Sequence, residues 1–174
     1  MSEAELKKVK EILSDPVKWA QIFVTIFDNS TKKKQPWVAR WYQSEMLRDK
    51  STKKVYRCGR RTGKTESMII ESLQESTTTP HYRVLIITPY ESQVRLLFTR
   101  IKEIIDESPQ LSAMVTRSVK NPYILEFTNG SAILGFTTGA SSGSGAASVR
   151  GQKADQPCKI TIVVVKMTTY DIIY

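Results

Sequence analysis

One stretch of the sequence decides the fold: Cys58-Gly59-Arg60-Arg61-Thr62-Gly63-Lys64-Thr65. A short apolar piece, Val55-Tyr56, precedes it, and apolar residues at helical spacing begin at Met68. The backbone N–H groups of such a loop, together with the positive end of the following helix, cradle phosphate oxygens. A Gly-Lys-Thr between a strand and a helix therefore predicts a phosphate-binding loop.

Three residues of this loop have separate predicted roles. Gly63 lets the backbone approach the anion, since no side chain stands in the way. Lys64 is predicted to reach the β and γ phosphates of ATP, and the Thr65 hydroxyl to ligate Mg²⁺. The stretch departs from the pattern G-x-x-x-x-G-K-S/T at its first position, where Cys58 stands. The alternative interpretation is a basic turn ahead of a helix.

Charge is distributed unevenly along the 174 residues, which carry a formal net charge of +9. Eleven Lys and Arg face two acids between Ser30 and Arg61, and the remainder holds fifteen of each sign. The excess positive charge therefore leads into the loop, which indicates a polyanionic partner, either nucleotide or nucleic acid. For Lys32-Lys33-Lys34 alone, a solvated basic face is the alternative.

Several classes of protein are not supported by the sequence. The two cysteines, Cys58 and Cys158, form no CxxC pattern, so we expect no metal or disulfide framework and a reducing compartment. No signal peptide and no apolar run long enough to span a membrane are recognisable. The hydrophobic content of 40% predicts a globular chain.

Patterns outside the loop predict alternating helices and strands. Ser2 and Glu5 form a capping-box pattern, and Asp15-Pro16 begins a second helix whose apolar face is predicted to continue to Phe27. Arg83 to Thr88 predicts a buried strand of a parallel sheet, and an amphipathic helix follows from Val94 to Ile105.

A hairpin is predicted around Asn129-Gly130, which separates two apolar runs. Both turn residues tolerate positive φ, and the predicted strands are Tyr123 to Phe127 and Ala132 to Phe136.

Gln43 lies about twenty residues ahead of the loop, directly after Trp41-Tyr42. A Gln side chain donates and accepts hydrogen bonds at once, which suits an adenine edge. Trp41 or Tyr42 either contacts the base or fills the core. Without the loop downstream, the favoured interpretation of these residues would be packing in the core and on a surface helix.

The combination of Gln43 with the basic loop resembles the ATPase domain of phage terminase large subunits, the DNA-packaging motors of tailed bacteriophages. The resemblance implies that ATP hydrolysis drives double-stranded DNA into a capsid. It implies a ring of subunits acting with a portal and a small terminase subunit in the host cytoplasm. It also implies that Gln43 reads adenine and that the loop residues bind the nucleotide: Gly59, Arg60, Arg61, Thr62, Gly63, Lys64 and Thr65.

This resemblance sets the expected architecture. We expect an α/β fold, a P-loop NTPase core with a mainly parallel sheet, a β-hairpin insertion and a helical N-terminal extension. The expected divisions are an extension over 1–34, a partial ATPase core over 35–155 and a tail over 156–174.

Two arginines are candidates to act catalytically beside Lys64. The family carries Arg at the place of Arg60, and Ala147 to Asp155 resembles the segment ahead of the second ATPase motif, which contains Arg150. A guanidinium at the transferring phosphate stabilises charge that develops in the transition state. The choice between Arg60 and Arg150 stays open, and a Gly/Ser-rich linker is the alternative interpretation of residues 139–151.

A further stretch resembles a motif that lies near nucleic acid in terminases and helicases. It is Thr88-Pro89-Tyr90 continuing into Gln93 and Arg95. For Gln93 and Arg95, a solvent-exposed helix face is the favoured alternative.

The resemblance ends after Asp155. The family runs into an apolar strand that ends in Asp-Glu, whereas here the apolar run ends in Lys166-Met167 and the acid that remains is Asp171. We expect weak ATP–Mg²⁺ binding with very slow or no hydrolysis, either from an interrupted coding sequence or from a truncated paralogue. A helicase-like translocase and a nucleic-acid-binding module that does not use ATP are the other function classes that stay open.

Overall fold

A computed structural model describes residues 2–28, 30–51, 53–59, 61–120, 122–138, 160–166 and 171–173 of the chain. The helices of these ranges are α1 (Glu3–Ser14), α2 (Pro16–Phe23), α3 (Trp41–Arg48), α4 (Lys64–Thr78), α5 (Glu91–Glu107) and α6 (Pro109–Ser112). The strands are β1 (Thr25–Asp28), β2 (Lys33–Pro36), β3 (Val55–Arg57), β4 (Arg83–Thr88), β5 (Val115–Lys120), β6 (Tyr123–Phe127), β7 (Ala132–Thr137), β8 (Ile160–Lys166) and β9 (Asp171–Ile173).

The central sheet has the strand order β3-β9-β8-β4-β7-β6-β5. Strand β4 pairs in parallel with both β7 and β8, while the outer pairings are antiparallel. The predicted α/β fold class is confirmed, with the parallel pairings confined to the middle of a mixed sheet. The apolar run Val84 to Ile86 is buried because it lies in this middle part.

The first two helices begin as the sequence predicts. The Ser2 hydroxyl accepts a hydrogen bond from the Glu5 backbone N–H at 3.3 Å, and a Glu5 carboxylate oxygen accepts the Ser2 N–H at 2.6 Å. Asp15 caps α2 by accepting the Val17 N–H at 2.9 Å, with Pro16 in the first helical position. Both caps satisfy backbone donors that a helix start leaves unpaired.

The second helix is shorter than predicted. It ends at Phe23 instead of continuing to Phe27, and β1 follows, pairing antiparallel with β2. The run Val24-Thr25-Ile26 is β-branched, which favours extended backbone over helix. The Ser108 hydroxyl receives the Thr25 N–H at 2.8 Å and fixes this strand on the core. The N-terminal segment therefore carries a β-ribbon as well as helices.

The predicted hairpin is confirmed: β6 ends at Phe127 and β7 begins at Ala132, on either side of the predicted turn residues. The Phe127 carbonyl accepts the Gly130 N–H at 3.0 Å, and Ser131 closes the loop by accepting the Phe127 N–H at 2.9 Å. Of the two predicted turn residues only Gly130 has a positive φ, +80°. The Asn129 side chain instead donates to the Ser76 carbonyl at 2.8 Å, at the end of α4. This contact joins the hairpin turn to the C-terminal end of α4.

The hydrophobic core is formed by one face of the sheet together with α2, α4 and α5. Its largest fully buried side chains include Trp19, Met68, Leu73, Ile86, Leu97 and Ile101. Because α2 contributes to the same core as α4, it packs against the helix that follows the predicted phosphate-binding loop. Within the described ranges, no helix combines the length and apolarity needed to cross a membrane.

Candidate nucleotide site

The loop between β3 and α4 has the predicted strand–loop–helix geometry. Strand β3 ends at Arg57, and Gly63 is the N-cap of α4 in the left-handed conformation, with φ 80° and ψ 18°. Lys64 and Thr65 are the first two helical residues. Their backbone N–H groups belong to the set that has no partner within the helix, and they lie at the positive end of its dipole. This end of α4 is therefore suited to bind an anion.

A salt bridge joins the residue ahead of β3 to α4, the two elements that flank the loop. Lys54, directly ahead of β3, pairs with Glu71 of α4 at 2.7 Å, and both side chains are largely buried. Removal of either partner would leave an uncompensated charge in a largely buried place, so the pair is costly to break. The strand and the helix that flank the loop are thus fixed relative to each other.

Lys64 is folded back over the loop. Its ammonium donates to the Cys58 carbonyl at 2.7 Å and to the Gly59 carbonyl at 3.0 Å. The Thr62 hydroxyl also donates to the Gly59 carbonyl, at 3.0 Å. These contacts hold the ammonium against the loop, next to the start of α4 where a phosphate is predicted to bind.

Gln43 contacts the loop directly. Its Nε2 donates to the Gly63 carbonyl at 3.2 Å, and its Oε1 accepts the Arg40 N–H at 3.0 Å. The side chain is only 5% exposed. A Cβ on Gly63 would lie 2.5 Å from Gln43 Nε2, so the amide packs against the residue that begins α4. The structure brings Gln43 into contact with the loop, and the reading of adenine by Gln43 stays a prediction.

A pocket of about 570 Å³ adjoins the loop. Its walls are Trp41, Tyr42, Glu45, Met46, Asp49, Tyr56, Arg57, Cys58, Gly59 and Thr62. Trp41 is 75% exposed and meets Tyr42 edge-to-face at 5.6 Å between ring centroids, so it does not fill the core. An exposed aromatic face beside a phosphate-binding loop can stack on a base.

Strand direction places a second group of residues at the same edge of the sheet. Two antiparallel steps, β3 to β9 and β9 to β8, make β3 run in the direction of β8 and β4. The loop after β3 and Thr88 at the end of β4 therefore share the carboxyl edge, where α/β proteins bind ligands. Thr88 is buried, and its hydroxyl donates to the Tyr90 carbonyl at 2.8 Å.

Strand β8 ends at the same edge of the sheet, and its sequence contains no Asp or Glu. Its last residues are Val164, Val165 and Lys166. Among the described residues, no group of three or more His, Cys, Asp and Glu side chains is arranged to hold a metal ion. Within this part of the chain, the Thr65 hydroxyl stays the predicted Mg²⁺ ligand.

The remaining predicted residues are divided between described and undescribed parts of the chain. Arg60 and Arg150, the two candidate transition-state arginines, lie outside the described residues. Arg61 is exposed with φ 61°, and Arg95 is exposed on α5. Gln93 Oε1 is buried with no hydrogen-bond partner in the described structure.

Sequence reasoning missed one charged pair close to the loop, between Glu66 of α4 and Arg100 of α5. The two residues are 34 positions apart, and no local pattern links them. A carboxylate in the first turn after Gly-Lys-Thr was the one available signal.

Comparison with known proteins gives matches among solved structures. No protein-family model and no curated protein matches the chain. The large terminase ATPase domain of Thermus phage P74-26 matches with 17% identity and a TM-score of 0.50, over 58% of this chain and 46% of that one. The large terminase of bacteriophage HK97 matches with 10% identity and a TM-score of 0.62, over 86% of this chain and 37% of that one. The chain thus spans less than half the length of either structure, and it has the fold of a phage large-terminase ATPase domain.

Proposed function

We propose that the chain is the nucleotide-binding part of a terminase-type ATPase, which in the full motor hydrolyses ATP to move double-stranded DNA into a capsid. The observation that carries the proposal is the Gly63-Lys64-Thr65 junction, where backbone donors that have no partner within the helix begin α4 beside an aromatic-walled pocket. The solved structures that share the fold are described as large terminases, which supports this choice among nucleotide-binding functions.

The binding mode follows from the chemistry of each group. The N–H groups at the start of α4 bind phosphate oxygens, and the Lys64 ammonium exchanges its loop carbonyls for the more strongly attracting β and γ phosphates. The Thr65 hydroxyl holds Mg²⁺, which neutralises phosphate charge. Trp41 and Tyr42 contact the base in the adjoining pocket.

Turnover by these residues alone is expected to be slow. In phosphoryl transfer a carboxylate holds the metal and another residue orients the attacking water. The chain has no acid at the end of β8 to do either. Within the proposed motor, Arg60 or Arg150 supplies charge to the transition state, and a ring of subunits acts with a portal and a small terminase subunit in the host cytoplasm.

Protection of Cys58 from alkylation tests the proposal without requiring hydrolysis. Cys58 is a free, partly exposed thiol in the wall of the pocket. In a Cys158→Ser variant, ATP–Mg²⁺ at ten times its Kd should slow labelling of Cys58 by about tenfold, because only the unbound fraction reacts. The rate is measured by mass spectrometry of the labelled peptide.

The control for this experiment is the same titration with Lys64→Ala, in which protection should be lost at the same ATP concentration. Labelling that stays unchanged up to several millimolar ATP–Mg²⁺ would contradict the proposal. Salt-dependent DNA binding that ignores ATP would then favour a nucleic-acid-binding module.

The variant Gln43→Ala tests whether the buried amide only supports the loop or also reads adenine. Because its Nε2 contacts the Gly63 carbonyl, we expect the variant to bind ATP and GTP more weakly by about the same factor, roughly tenfold. If the amide also reads adenine, ATP binding should fall further than GTP binding. Calorimetric titration with both nucleotides measures the ratio, and unchanged affinity for both would show that the contact with the loop has no role in binding.

A further inference from the structure

The first turn of α4 contains an acidic residue close to the proposed phosphate site. Glu66 follows Thr65 directly and is the third residue of the helix. At a rise of about 1.5 Å per residue, it stands only about 3 Å along the helix axis from Lys64. An unpaired carboxylate here would repel the phosphates of a nucleotide and attract the Lys64 ammonium.

Arg100 of α5 neutralises this carboxylate by a bidentate salt bridge. Its Nη2 donates to Glu66 Oε1 at 2.7 Å, and its Nε donates to Glu66 Oε2 at 3.1 Å. The remaining Nη1 donates to Glu103 Oε2 at 3.0 Å. A planar guanidinium that meets a carboxylate in this way fixes its orientation as well as its charge. Glu66 is 20% exposed, so solvent screens the pair only in part.

We propose that Arg100 is a positioning residue of the nucleotide site, which cancels the charge of Glu66 and holds the first turn of α4 in its phosphate-binding form. The inference rests on the proposed function, since it concerns the affinity for ATP–Mg²⁺. Arg100 acts through Glu66, without touching the nucleotide. The pair also joins α4 to α5, the two helices that begin at the carboxyl edge of the sheet.

A double-mutant cycle in the 174-residue chain tests the inference, with ATP–Mg²⁺ affinity measured by calorimetry. Arg100→Met should weaken binding about tenfold, because it leaves the Glu66 charge uncompensated near the phosphates. Glu66→Gln should bind at least as well as the unsubstituted chain. The double variant should return to within about threefold of it, since the repelling charge is gone.

Two further measurements separate this role from a structural one. The deficit of Arg100→Met should shrink as salt is raised, because salt screens the repulsion. Arg100→Lys, which keeps the charge, should lose no more than about threefold in affinity. Arg117→Met is the matched control, since Arg117 forms an arginine–glutamate pair with Glu126 on β5 and β6, outside the loop.

The outcomes are distinguishable. If the double variant binds as weakly as Arg100→Met, or if Arg100→Met binds normally, the inference is overturned while the proposed function stands. If Arg100→Met does not fold, tight binding by Arg100→Lys and by the double variant still supports the inference, and weak binding by both overturns it. If the unsubstituted chain binds no ATP, the proposed function is overturned and the inference with it.

Discussion

Lys64→Ala should weaken ATP–Mg²⁺ binding by about a hundredfold. The ammonium lies at the loop ahead of α4, where the β and γ phosphates are predicted to bind, and hydrogen bonds to charged groups are each worth about 1.5–3 kcal/mol. In the unbound chain the Cys58 and Gly59 carbonyls hold this ammonium, which exchanges them for the phosphates on binding. Lys64→Ala removes the charged contacts with both phosphates at once, so we expect this variant to show the largest loss in binding.

The affinities of Lys64→Ala for ATP, ADP and AMP test which phosphates the lysine contacts. Lys64 is predicted to reach the β and γ phosphates, so its removal should affect ATP strongly and AMP only weakly. Lys7→Ala, on the exposed face of α1, is the control for a lost lysine charge. Calorimetric titrations with ATP, ADP and AMP give the three affinities, and circular dichroism checks the fold. An equal loss for all three nucleotides would place Lys64 away from the terminal phosphates.

The strand–loop–helix geometry could be predicted from the sequence because it depends on contiguous residues. Gly63 needs a positive φ and Lys64 must begin a helix, and both requirements are met within neighbouring positions. Gln43 is different, because its contact with Gly63 spans twenty positions. Only a resemblance to a known family could connect it with the loop.

Features that depend on tertiary contacts could not be predicted. The end of α2 at Phe23 depends on β2 and Ser108, which offer Thr25 and its neighbours an extended partner. The contact of the hairpin turn with α4 depends on the carbonyls that Asn129 caps. The Glu66–Arg100 pair requires α5 to cross α4.

The mixed strand directions of the sheet also depend on tertiary contacts, so they could not be predicted from the sequence. Strand β9 is three residues long, too short for a periodic signal, yet it pairs with both β3 and β8. The parallel part was predictable because β4 is a continuous apolar run, which is typical of a strand covered on both faces. Sequence patterns thus identify the interior of the sheet better than its outer strands.

Gly135→Ala should destabilise the fold by about 1–3 kcal/mol, the usual cost of overpacking a filled core. Gly135 lies on β7 at the place where α5 crosses the sheet. A Cβ there would lie 2.6 Å from Val94 Cγ1, 2.7 Å from Phe98 Cε2 and 2.9 Å from Tyr123 Cβ. Tyr123 is the partner of Gly135 across the strand pair, so its Cβ cannot move away without shifting the backbone of β6.

Urea unfolding of Gly135→Ala measures the loss in free energy of unfolding. Two further variants test whether the loss comes from overpacking. Gly59→Ala is the matched control, because its added Cβ would meet only Thr62 Cγ2, at an ordinary 3.8 Å. Val94→Ala removes one clashing atom, so the double variant with Gly135→Ala should be more stable than the sum of the two single losses predicts. A free energy of unfolding unchanged within about 0.5 kcal/mol would show that α5 does not pack closely on β7. Because α5 also carries Arg100, displacing it should weaken ATP–Mg²⁺ binding as well, and in the Glu66→Gln background that second effect should be smaller.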